Sequence, residues 1–177
     1  MIEFNLLVTY SYDFLGARRE IGKTLTALGD PSATIRRTII KGIVGVVTSL
    51  NPHELWKSLQ NVVCERPNEF WYTQRWIPVD LWTTSDIQSM KQGVQKVARI
   101  GPGERWMMVV EKRRYEALDT PSIIRQLAEV IDAKVDLSYP DLIIRVDILG
   151  PFAGIGLLHP GEVFSALRRN VSYPPSK

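Results

Sequence analysis

The sequence predicts an α+β protein: an N-terminal ferredoxin-like β-α-β-β-α-β unit over residues 1–74, then a second α/β unit over 75–170 and a flexible tail over 171–177. Three observations lead there. Helix-spaced apolar residues alternate with short β-branched or aromatic runs. In the first part they come in the order strand, helix, strand, strand, helix, strand, as in an antiparallel sheet with both helices on one face. The second part starts a new helix after Thr83-Thr84-Ser85 and mixes strands and helices again.

Each element has its own signal. Asn5–Tyr10 is a β-branched, apolar strand. Phe14–Leu28 places apolar residues at 14, 15, 17, 21, 25 and 28, a helical spacing, and Gly29-Asp30-Pro31 stops it. Thr34–Ile40 and Ile43–Leu50 read as strands joined by a tight Lys41-Gly42 turn. Asn51-Pro52-His53-Glu54 predicts a capped helix start running to about Glu65. Glu69–Ile77 is an aromatic strand. A boundary falls near 72–78, with Trp76 and Trp82 packed between the halves.

In the second half, Ser85 and Gln88 predict a capping box for a helix through Ile87, Met90, Val94 and Val97. Arg105–Val110 is a strand ending in Glu111-Lys112-Arg113-Arg114. Thr120-Pro121 opens the next helix, and Lys134–Leu137 is a short extended piece. Leu142–Leu149 and Ala153–Leu158 are strands around Gly150-Pro151, and Glu162–Arg169 predicts a last short helix.

Composition narrows the function. With 45% apolar and 23% charged residues, the chain is globular and not disordered. No apolar run approaches the ~20 residues that span a bilayer, and Met1-Ile2-Glu3-Phe4 lacks the basic start of a signal peptide. The single Cys64 builds neither an internal disulfide nor a paired-cysteine zinc site, so a cytoplasmic location is expected. Net charge is only +3, so nucleic-acid binding must rest on local clusters.

No catalytic constellation emerges. His53 and Cys64, eleven residues apart on one helix, stand about 16 Å apart, too far for a nucleophile–base bond. His159 beside Pro160-Gly161 reads as a turn residue. Glycines 101 and 103 lack a third at dinucleotide spacing, and Gly150, Gly154 and Gly156 lie between strands, not between strand and helix. Asp136, Asp141 and Asp147 are spread along loop and strand, with Asp147 read as a surface ion pair with Arg145. No cofactor, no metal and no catalytic role are expected.

Basic clusters are the candidate binding residues. Lys112, Arg113 and Arg114 end a strand; Arg36 and Arg37, with Lys41, lie on a strand and its turn; Arg168 and Arg169 end the last expected helix; Arg75 and Lys96 or Arg99 extend the set. Arg36 and Arg37 must point to opposite sheet faces. Arginines at a helix end equally suit the helix dipole.

The second half resembles the THUMP family. The resemblance begins at Arg75-Trp76-Ile77-Pro78-Val79 and runs through the Ile87–Val97 helix, the Trp106–Val110 strand and Lys112-Arg113-Arg114. It is closest at Lys134-Val135-Asp136-Leu137-Ser138-Tyr139-Pro140-Asp141 with Ile143–Leu149, and Phe152–Leu158 follows as a glycine-containing strand. This resemblance implies a tRNA-binding protein, with a ferredoxin-like unit preceding the THUMP unit. It further implies a stand-alone adaptor that presents the tRNA acceptor stem and 3′ end to a separate enzyme, an RNA cytidine acetyltransferase making 4-acetylcytidine. The alternative is a protein–protein interaction module of two small α/β units without direct RNA function.

Overall fold

The computed structural model describes residues 3–66 and 68–166. Its first part runs β1 (Leu6–Tyr10), α1 (Phe14–Ala27), β2 (Thr34–Arg37), β3 (Ile43–Val47), α2 (Leu55–Glu65) and β4 (Thr73–Pro78). The strands pair antiparallel in the order β4-β1-β3-β2. Alternation along the strands sends Leu6, Val8, Val44, Val46 and Trp76 to one face, where Ile21 and Leu25 of α1 and Leu55 and Leu59 of α2 cover them.

The second part runs β5 (Leu81–Thr84), α3 (Ile87–Val97), β6 (Arg105–Arg113), α4 (Thr120–Ala128), β7 (Lys134–Val135), β8 (Leu142–Leu149) and β9 (Phe152–Leu158). Its sheet order is β5-β9-β8-β6-β7, with β6 parallel to β7 and β8 and the other pairs antiparallel. Trp106, Met108 and Val110 share a face with Leu142, Ile144, Val146 and Ile148, buried under Met90 and Val94 of α3 and Ile123 and Leu127 of α4.

The helix-free faces of the two sheets meet. Leu7, Ile43 and Ile77 of the first sheet, with Ile40 and Val79, bury against Leu149 of β8, and Trp82 and Val163 pack onto the same cluster. Trp82 also donates its indole N–H to the Phe4 carbonyl at 2.6 Å. Gly154 makes room for that indole, since a Cβ there would stand 3.1 Å from the Trp82 ring.

Several expectations are corrected. Trp76 is buried in the first core beside Phe70 and Phe164, not between the halves, because its strand face is the helix-covered one. Lys41-Gly42 is not a two-residue turn. Residues 38–42 form a longer loop, in which the Thr38 hydroxyl accepts the Ile40 amide and lies 2.9 Å from the Ile43 carbonyl, as donor. Asn51 accepts the His53 amide and shapes a turn, and α2 starts only at Leu55. Asp86, not Ser85, caps α3 by accepting the Ser89 amide, and a carboxylate suits a helix N-terminus.

The expected final helix is not present at its start. Phe164–Ser165 is instead a strand, β10, paired antiparallel with β4 across Trp76 and Arg75. Among the described residues the first sheet thus has five strands, β10-β4-β1-β3-β2. The expected division after residue 74 falls inside β4, because Pro78 and not the Thr73–Arg75 stretch ends that strand. Arg168, Arg169 and the expected tail lie outside the described residues.

Candidate nucleic-acid interface

Two distant segments are brought together where the sheets meet. The loop between β2 and β3 reaches the end of β6, and Arg114 donates from Nη1 to the Ile39 carbonyl at 3.0 Å. Arg37, Lys41 and Arg114 line one open pocket of about 420 Å³ with Tyr10, Tyr12, Phe14 and Ile39. Its aromatic wall is functional in the electrostatic sense: the Arg37 guanidinium carbon sits 4.0 Å from the Phe14 ring centroid. Among the described residues, Asp13 is the one carboxylate of the lining, and it accepts the Gly16 amide at 2.7 Å as the cap of α1. Three cations against one occupied carboxylate leave the pocket a net anion attractor.

The other expected binding residues scatter. Arg36 is exposed on the opposite face of β2 from Arg37, as alternation requires. Lys112 turns back to donate its ammonium to the Tyr115 carbonyl at 3.1 Å. Tyr115 and Leu118 pack on the second core, which accounts for the apolar loop after the basic run. Arg113 alternates to the other side of β6 from Lys112. Arg75, exposed on β4, lines a separate cleft of about 380 Å³ between the helix-free faces, with Arg145, Ile143 and His159. Lys96 and Arg99 line a third hollow beside His53 and Asp80.

Arg145 and Asp147 do pair, but the pair is buried and not on the surface. Nε and Nη2 reach the two carboxylate oxygens at 2.7 and 3.0 Å. The parallel fork on a desolvated carboxylate is the geometry for which arginine is suited. In the stretch closest to the THUMP pattern, Asp136 and Asp141 both grip Arg105, at 3.1 Å from Nη1 and Nε respectively. Asp136 also accepts the Ser138 and Tyr139 amides, which hold its carboxyl below the ordinary range, and Arg105 does the same to Asp141. These acids hold a loop that leaves Leu137 72% and Tyr139 75% exposed.

His53 is tied on both ring nitrogens, to Glu162 at 2.6 Å and Asp80 at 2.7 Å. The bond to Asp80 foremost, then Glu162, outweighs burial and pushes its pKa up to about 9. Burial opposes ionisation of Asp80, yet His53 and the Leu157 amide together hold its carboxyl below the usual range. His159 joins through Glu162 at 2.8 Å. No residue spacing in the sequence marks this cluster, and Tyr12 carries a single signal there, its position outside the apolar period of α1.

No family model matches the chain, and no curated protein matches its sequence. Solved structures do match. PH1313 from Pyrococcus horikoshii Ot3 is 15% identical, covering 90% of this chain and 54% of that one at a TM-score of 0.62. TrmN from Thermus thermophilus is 15% identical, covering 93% and 47% at 0.63. SMU.472, provisionally described as a methyltransferase and complexed with SAH, is 16% identical, covering 90% and 42% at 0.55.

The likeness is one of fold. The chain is α+β, a ferredoxin-like β-α-β-β-α-β unit joined to a second α/β unit, as the sequence predicts. It spans about half the length of the structures it matches. One expectation is overturned: that the chain is no enzyme. The fold occurs as part of longer chains described as enzymes, so the missing motifs in these 177 residues do not carry that conclusion. No described helix is long and apolar enough to cross a membrane.

Proposed function

We propose that this chain is the tRNA-binding part of an RNA-modification system. It grips the acceptor stem and 3′ end and presents the tRNA to a modifying active site. The THUMP resemblance points to an RNA cytidine acetyltransferase as the owner of that site. The supporting observation is the pocket where Arg37 and Lys41 of the first unit meet Arg114 of the second. A surface built jointly by two units suits recognition of shape and phosphates more than sequence. Holding a tRNA rigidly contributes to catalysis by positioning.

The test is tRNA affinity against salt for the wild type and for Arg37→Ala, Lys41→Ala and Arg114→Ala. Each lost phosphate contact should lower the slope of log affinity against log salt by about 0.7–0.9. Unchanged slopes in all three would remove the pocket from the interface.

A second reading rests on the loop held by Arg105. Its exposed Leu137 and Tyr139, beside half-exposed Val135, are suited to a protein partner. A Leu137→Asp, Tyr139→Asp double variant that still binds tRNA but loses the acetyltransferase would support it.

A further inference from the structure

Left-handed backbone marks the pocket more sharply than charge does. Among the described residues, two without glycine's freedom have positive φ: Tyr12 at 69° and Arg114 at 52°. Both line the pocket, from opposite units. A Cβ in this conformation crowds the backbone, and such outliers persist where their surroundings over-determine them.

The surroundings of Tyr12 do so. Ser11 donates its amide to the Tyr72 carbonyl at 2.9 Å, and the Asp13 amide returns to the Ser11 carbonyl at 3.0 Å. Asp13 is itself fixed as the cap of α1. Tyr12 is squeezed out between two pinned neighbours. Glycine or asparagine would take this position at little cost. The chain places a tyrosine there, and its side chain is unburied: the residue is 92% exposed. Packing therefore does not explain the ring. The same lining includes Ile39, half-exposed, and Lys41, whose ammonium has no partner among the described residues.

We infer that this pocket receives one unpaired nucleotide of the bound RNA, its base stacked on the Tyr12 ring and its phosphate held by Lys41, Arg37 and Arg114. A volume of about 420 Å³ lies within the ordinary range of small-ligand pockets, roughly 300–1,000 Å³. Stacking on an aromatic ring is tolerant of base identity, and cations beside the ring add phosphate affinity. The inference rests on the tRNA-binding reading and adds to it a residue and a class of nucleotide. Tyr12 is here a binding residue, kept in a strained conformation for the face it presents.

The test compares two RNA hairpins of the same stem, one blunt and one with a four-nucleotide 3′ overhang carrying 2-aminopurine. Tyr12→Phe keeps the ring; Tyr12→Gly removes it and relieves the backbone. Wild type and Tyr12→Phe should prefer the overhang and quench the fluorophore. Tyr12→Gly should lose about 5- to 100-fold in affinity for the overhang hairpin only, with weaker quenching. Its melting midpoint should hold or rise by about 2–4 °C. Equal overhang affinity and quenching in Tyr12→Gly would overturn the inference. So would equal loss for both hairpins with a lower melting midpoint, the mark of a purely structural residue. If the wild type binds neither hairpin nor whole tRNA, the tRNA-binding reading itself fails.

Discussion

His53 shows how much one side chain can join. Its ring touches Asp80, in the link from β4 to β5, and Glu162, just before β10, while its own backbone sits in the turn leading into α2. The pKa raised to about 9 means that the folded state binds the proton more tightly than the ordinary 6.5. That stabilisation is complete below about 6.5 and is lost as pH rises through about 9. Asp80 is shifted the other way, so its contribution is present above the ordinary carboxylate range and is lost in acid. Thermal melts from pH 6.5 to 9.5 should show a loss on the order of 1–3 kcal/mol in the wild type. His53→Gln should be less stable at pH 6.5 and nearly flat over this interval. A wild-type curve as flat as the variant's would refute the assignment of this stabilisation to His53.

At the scale of elements, the cap of α1 does two things at once. Asp13 holds the helix start and brings a carboxylate into the cationic pocket. Asparagine caps about as well as aspartate. Asp13→Asn should therefore leave the melting midpoint nearly unchanged and tighten tRNA binding at low salt, with the gain fading as salt screens it. Equal affinity at low salt would separate Asp13 from the binding surface. Elements of this kind were readable in the chain wherever a period was long enough. The apolar spacing of Phe14–Leu28 and of Ile87–Val97 gave α1 and α3 nearly to the residue. Two-residue β10 carries no period, and Phe164 inside Glu162–Arg169 suited a helix equally well. The cap of α3 falls one residue past Ser85 because Ser85 and Asp86 are both good caps, and only the Ser89 amide distinguishes them. The pocket itself was illegible. Arg37, Lys41 and Arg114 were all singled out as basic, but the meeting of β2, β3 and β6 that joins them depends on how two sheets pack, and the conformation of Tyr12 leaves no trace in its residue type.

For the whole molecule, the small third core decides whether the proposed tRNA surface exists. Leu149 is the residue of the second sheet buried against Leu7, Ile43 and Ile77 of the first. Removing it should cost about 2–5 kcal/mol by lost burial and cavity formation. Because the cations come from both sides of this contact, Leu149→Ala should also weaken tRNA binding without touching a charge. Calorimetry checks the first expectation and filter binding the second. A single cooperative transition at unchanged temperature would mean that the two sheets do not lean on Leu149.

The return of β10 to β4 has a consequence for taking the protein apart. The first sheet is assembled from two stretches separated by the entire second sheet, so no single cut yields it whole. A fragment stopping at Pro78 would leave the outer edge of β4 with unpaired amides and carbonyls, and Trp76 without Phe164 against its core. Bare edges of that sort recruit strands from other copies. During synthesis, the N-terminal half leaves the ribosome with such an edge. It is sealed only after some ninety further residues have emerged and the chain has doubled back.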